Sequence, residues 1–144
     1  MATLKVNITE SITLNGSNYG ANNTVSISGI NEVDKRVVTA VTGSGGTQIY
    51  AGAAAAAQGT FITSSVKYIR ITNTDTTNFV TLNVEDGTAY GQFRLEAGKS
   101  FIIGNPDHFD NNNDIDTTVD NDITKIEAKA DTAAVKLEVY VATS

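Results

Sequence analysis

Alternation constrains this chain more than any other feature of its sequence. Leu4, Val6, Ile8, Ile12 and Leu14 all fall on even positions, with Lys5, Asn7, Thr9, Ser11 and Thr13 between them. Near the other end Val135, Leu137, Val139 and Val141 alternate with Lys136, Glu138 and Tyr140. Successive side chains of a strand point to opposite faces, so a period of two buries one set and wets the other. No sustained helical spacing separates these stretches, which excludes a parallel βαβ architecture. Thr, Asn, Val and Ile are plentiful, Pro occurs once, and the strong helix formers Leu, Glu and Lys are sparse. The expected fold is all-β: an antiparallel two-sheet sandwich, jelly-roll-like, in a single domain spanning 1–144. A chain of 144 residues buries roughly two-thirds of its unfolded surface, enough for a substantial core.

Turn residues divide the chain further. Asn15-Gly16 and Asn22-Asn23 mark two turns, Val25 and Ile27 a short strand, and Asp34 to Thr42 the next. Residues 43–60 contain Gly43-Ser44-Gly45-Gly46 and the run Ala53 to Ala57, and are expected to form a loop with at most one helical turn. The second half predicts three hairpins. Val66 to Thr72 pairs with Phe79 to Val84, Tyr90 to Leu95 with Lys99 to Ile103, and Ile123 to Ala130 with Ala134 to Ala142.

Charge and composition exclude several functions. Ten basic against sixteen acidic residues leave a net charge of −6, which argues against nucleic acid or an anionic membrane as partner. There are no cysteines and one histidine, so thiolate chemistry, disulfides and His-rich metal sites are ruled out. No apolar run approaches the ~20 residues of a membrane-spanning helix, and no secretory leader is expected at the start. The sequons at Asn7, Asn15 and Asn22 are then coincidences of an Asn/Thr-rich chain.

The acidic stretch at 107–122 holds Asp107, Asp110, Asn111, Asn112, Asn113, Asp114, Asp116, Asp120 and Asp122. Asp110, Asn112 and Asp114 match the opening of a calcium loop, but Ile115 stands where that loop needs glycine and Asn121 where it needs glutamate. A solvated connection between strands is the favoured expectation. His108 has no orienting partner or nucleophile in any recognisable pattern, and Gly43 to Gly46 lacks the Gly-Lys-Ser/Thr of a phosphate loop. Tyr19, Tyr50, Tyr68, Tyr90 and Tyr140 could serve a sugar-binding surface, but they are scattered and tryptophan is absent. No catalytic, cofactor-binding or metal-ligating residue is assigned, no cofactor is expected, and the chain is not expected to be an enzyme.

Lys67-Tyr68-Ile69-Arg70-Ile71-Thr72-Asn73, Thr77-Asn78-Phe79-Val80-Thr81-Leu82 and Phe93 to Ile102 carry a resemblance, continued by Ile126 to Ala130 and the Val135 to Val141 strand. Together they resemble small virion structural proteins of tailed bacteriophages, several from phages of marine bacteria. The resemblance covers residues 66–142 and consists of strand patterning rather than a catalytic signature. It implies a capsid decoration, or cement, protein on the outer virion surface, assembled in the host cytoplasm. Its partners would be the major capsid protein and further copies of itself, as a homotrimer. A tail, neck or fibre-associated virion protein is the nearest alternative, and a carbohydrate-binding sandwich module the alternative from another class. One terminus and the 43–60 loop are the expected contact regions. The even-position face of residues 4–14 either closes the chain's own core, the favoured expectation, or meets a neighbouring subunit.

Overall fold

The computed structural model describes residues 1–104 and 122–144. The acidic stretch, apart from Asp122, and His108 lie outside these residues, as does the calcium question attached to them. The described strands, in chain order, are β1 (Ala2–Glu10), β2 (Thr13–Leu14), β3 (Ser17–Asn18), β4 (Ala21–Ile30), β5 (Glu32–Ala40), β6 (Thr47–Ala53), β7 (Phe61–Ile62), β8 (Val66–Asn73), β9 (Val80–Glu85), β10 (Tyr90–Leu95), β11 (Ser100–Ile103), β12 (Lys125–Ala130) and β13 (Val135–Thr143). A 3₁₀ turn, Thr63–Ser65, precedes β8.

Two sheets form the body. One runs β11-β8-β13-β5 and the other β10-β9-β12-β6, with the two-residue β7 added in parallel at the free edge of β6. Counting these eight body strands in chain order, the first sheet contains the sixth, third, eighth and first. The second sheet contains the fifth, fourth, seventh and second. That interleaving is the jelly roll, in which nearly every connection crosses from one sheet to the other.

None of the three expected hairpins forms, although each of their strands does. β8 pairs with β11 and β13 rather than β9, β10 pairs with β9 rather than β11, and β12 and β13 lie in different sheets. The hairpin that does form joins β9 to β10 through Asp86-Gly87. There the Asp86 carboxylate accepts the amide protons of Thr88 and Ala89 at 2.8 and 2.7 Å, and Gly87 takes φ +99°. Residues 43–60 are not one loop: β6 occupies their centre and buries Ile49 and Tyr50. A bulge opposite Ile126/Glu127 brings β6 out of simple register with β12. Asn22-Asn23 is strand rather than turn, because β4 runs the full length of its pairing with β1.

The core lies between the sheets. Ile69, Ile71, Leu137 and Val139 face Val80, Leu82, Val84 and Ile126, all with at most 1% of their surface exposed. Aromatic pairs close both open sides. Phe93 and Phe101 meet at 4.9 Å between edge strands β10 and β11. Tyr50 stacks on Phe61 at 5.5 Å on the β5–β6 side, where Arg36 caps the ring and donates to the Ile49 carbonyl at 2.9 Å.

Asn73 fastens two of the sheet-to-sheet connections. Fully buried at the end of β8, it donates through Nδ2 to the carbonyls of Asn78 and Leu95, at 2.9 and 3.2 Å. Its Oδ1 accepts the Asp75 amide at 2.9 Å. Its main chain bonds Lys99 O and Gly98 N, so the crossovers after β8 and after β10 converge on this one residue.

Residues 1–30 leave the body. β1 and β4 pair antiparallel from Ala2↔Ile30 to Glu10↔Ala21, and β2 and β3 extend the ribbon to a tip at Asn15-Gly16. Asn15 and Gly16 have φ +50° and +79°, the two positive values required by the tightest hairpin turn. The ribbon forms an arm about 40 Å long at roughly 3.3 Å per residue.

Candidate functional site

The arm begins where the outer face of the four-stranded sheet is apolar. Ile30, Tyr68 and Ala142 form a small second core there, with Leu4, Val6, Ile27 and Tyr140 packed against it. Tyr68 and Tyr140 meet edge to face at 6.0 Å. Burial raises the Tyr68 phenol above its ordinary pKa, with the Arg70 charge opposing.

This second core covers only the base of the arm. Leu4 pairs across with Ile27, Val6 with Val25 and Ile8 with Asn23, so these residues share one face. Leu4, Val6 and Ile27 are half-buried, whereas Ile8 and Val25 are 45% and 46% exposed. The expectation that the even-position face closes the chain's own core therefore holds for its first two members only. Beyond Ile8 the arm runs free of the body. Ile12, Leu14 and Tyr19 are all more than half exposed around the tip. Between the arm and edge strand β11 a groove of about 220 Å³ opens, lined by Val6, Ile8, Val25, Ile27, Tyr68 and Ile102.

Beyond it the outer face carries a self-paired charge cluster, with Val37 exposed on edge strand β5. Tyr140 lies between Lys35 and Arg70, and Glu138 between Val37 and Thr72. Glu138 accepts from Lys35 at 3.1 Å and Arg70 at 2.5 Å, and these bonds hold its carboxyl below the usual range, Lys35 contributing most. Arg70 also stands 5.8 Å over the Tyr140 ring.

The outer face of the five-stranded sheet is polar. Thr81 and Asn83 of β9, Gln92 of β10 and Glu127 and Lys129 of β12 line a shallow depression of about 350 Å³ together with Gly46. Asn83 Nδ2 donates to Glu85 at 2.6 Å, and its buried Oδ1 has no partner. Lys125 bridges Glu85 at 3.1 Å and Glu127 at 3.5 Å, which raises its pKa, Glu85 contributing most. Tyr90 projects from the same side of β10 as Gln92 and is 61% exposed.

The five tyrosines thus divide. Tyr50, Tyr68 and Tyr140 are spent in packing, and Tyr19 and Tyr90 are exposed. Among the described residues no group of three or more His, Cys, Asp or Glu side chains converges as a metal site. The expected contact loop at 43–60 survives as two exposed pieces, 43–46 and 54–59, on either side of β6. Sequence reasoning identified the apolar alternation of the arm but not its isolation. The one available signal was Ala21 to Ile27, whose Val25 and Ile27 continue the alternation on the return strand. Comparison with protein-family models, with curated proteins and with solved structures finds no match to this chain.

Proposed function

We propose that this chain is a structural protein of a tailed-phage virion, a decoration or cement protein that binds the outer capsid surface as a homotrimer and braces capsomer junctions. The observation that carries this reading is the division of the chain into a body with its own closed core and an arm that packs on it only at its base. The jelly roll buries its core and closes its two open sides with aromatic pairs. The arm leaves 25 of its 30 residues exposed. A two-stranded ribbon is marginal by itself in water, so an arm of this length is completed by assembly rather than by its own chain. Binding to a repeating lattice suits such a protein, since several weak contacts per oligomer add through high effective concentration. Residues 66–142, which carry the resemblance to phage virion proteins, span the body strands β8 to β12 and nearly all of β13.

Quantitative mass spectrometry of purified virions tests the proposal. A copy number near that of the major capsid protein is expected. A few copies per particle would reassign the chain to tail, neck or fibre, and absence from the particle would overturn the virion reading. A second reading has its own observation: the polar depression lined by Asn83, Gln92 and Glu127 offers amide and carboxylate partners, the chemistry of sugar recognition. The jelly roll does not choose between the two, being common to viral capsid and lectin domains. Binding to an oligosaccharide array that is lost on Gln92→Ala would favour the sugar-binding module.

A further inference from the structure

We propose that the arm's partner is a second copy of this chain, with the tip of one arm seated in the groove at the base of the next. Two observations on the arm select that occupant. The first is apolar character on both surfaces. The tip presents Ile12, Leu14 and Tyr19 as an exposed apolar end, and the groove between Ile8, Val25 and Ile102 is an apolar recess. Within one chain they cannot meet, because Leu14 lies six residues beyond Ile8 along an extended ribbon, roughly 20 Å away.

The second is charge. The chain carries −6, but residues 1–30 contain only Lys5 and Glu10 and are neutral. The remaining residues hold nine basic and fifteen acidic side chains, the whole of the net charge. Two like-charged copies approach at least cost along their neutral segments, and the groove-lining side chains carry no charge.

A tip-to-groove contact joins two different surfaces, so its repetition gives a ring where the rotation between copies closes. The homotrimer belongs to the virion proposal; the surface that joins the copies is inferred from the arm alone and needs no capsid.

The test uses the purified full-length protein. Light scattering after size exclusion is expected to give a small multiple of the 15.2 kDa chain mass. Ile8→Asn with Val25→Asn should shift it to one chain while leaving the circular dichroism and cooperative melting of the body intact. Because the chain has no cysteine, Leu14→Cys and Ile102→Cys report contact directly. A mixture of the two single variants is expected to cross-link on oxidation into disulfide-bonded pairs, and the double variant into a covalent ring of the size measured by scattering. A monomer at 100-fold the working concentration would overturn the inference. So would an oligomer unaffected by the double Asn variant, or Leu14→Cys cross-linking only with itself. None of these results bears on virion copy number, so failure here is separable from failure of the decoration reading.

Discussion

Replacing Asn73 should be among the most damaging changes available in the body. The side chain is fully buried and makes three hydrogen bonds, to Asn78 O, Leu95 O and Asp75 N. Asn73→Ala removes all three. At about 1 kcal/mol net for each, and with more where a buried carbonyl is left unpaired, the loss is about 3–4 kcal/mol. That is a large fraction of the 5–15 kcal/mol of a typical domain. It corresponds to a fall in Tm of about 10 °C for a chain of this size. Urea titration followed by circular dichroism gives the stability change, and calorimetry the Tm. Thr24→Ala is the control: it removes an exposed 2.8 Å bond to Asn7 on the arm and should cost under about 0.5 kcal/mol. Asn73→Asp sharpens the test, because the shape is kept while an acceptor oxygen replaces the donor that faces two carbonyls. The introduced carboxyl is buried against like partial charges, so its folded pKa rises above its unfolded value. The variant should therefore lie nearest the parent at low pH and lose ground as pH rises through that folded pKa. An Asn73→Ala loss below about 1 kcal/mol, together with a pH-independent Asn73→Asp difference, would refute the view that this residue fastens the two crossovers.

Three further outcomes follow from the same geometry. Asp75 accepts amide protons from Asn78 and Thr77, which lower its carboxyl pKa, Asn78 contributing most. Its stabilisation is present above the ordinary carboxylate range and lost as pH falls through the folded pKa. Asp75→Asn should accordingly flatten the decline of Tm between about pH 5 and 2. A Cβ at Gly52 would stand 2.6 Å from Thr63 Cγ2 and 2.9 Å from the Ile123 carbonyl, so Gly52→Ala should cost about 1–3 kcal/mol by urea titration. Burial and the Asp122 charge push the Tyr50 phenol far above its ordinary pKa, burial contributing most. Absorbance titration at alkaline pH should show a tyrosine that ionises only as the fold is lost.

The strands were legible in the sequence and their partners were not, and the connections show why. Alternation in β9, β12 and β13 marks which side chains face inward, and the buried set matches it. The same alternation is satisfied whether the chain turns back within a sheet or crosses to the other, because inward-facing residues stay inward in both. The decision rests on the connection. Residues 74–79 have six positions with which to cross the roughly 10 Å between stacked sheets. They are held there by Asn73 and Asp75, whose side chains bond the connecting main chain at 2.8–2.9 Å. Gly98, with φ +71°, turns the next crossover and donates to the Asn73 carbonyl. Asn-Thr-Asp and Ala-Gly at these sites look like ordinary turns in sequence; what makes them crossovers is the burial of one amide, Asn73, which opens the first and bonds the second from well before it in chain order. Asp86-Gly87, which the sequence reading did not single out, turns the hairpin between β9 and β10. The arm poses the same problem in reverse. Its apolar alternation meets every local criterion for a buried strand, yet burial depends on a surface long enough to receive it. The second core offers only Ile30, Tyr68 and Ala142. A two-residue overlap is covered within the chain, and the rest of the stripe stays exposed.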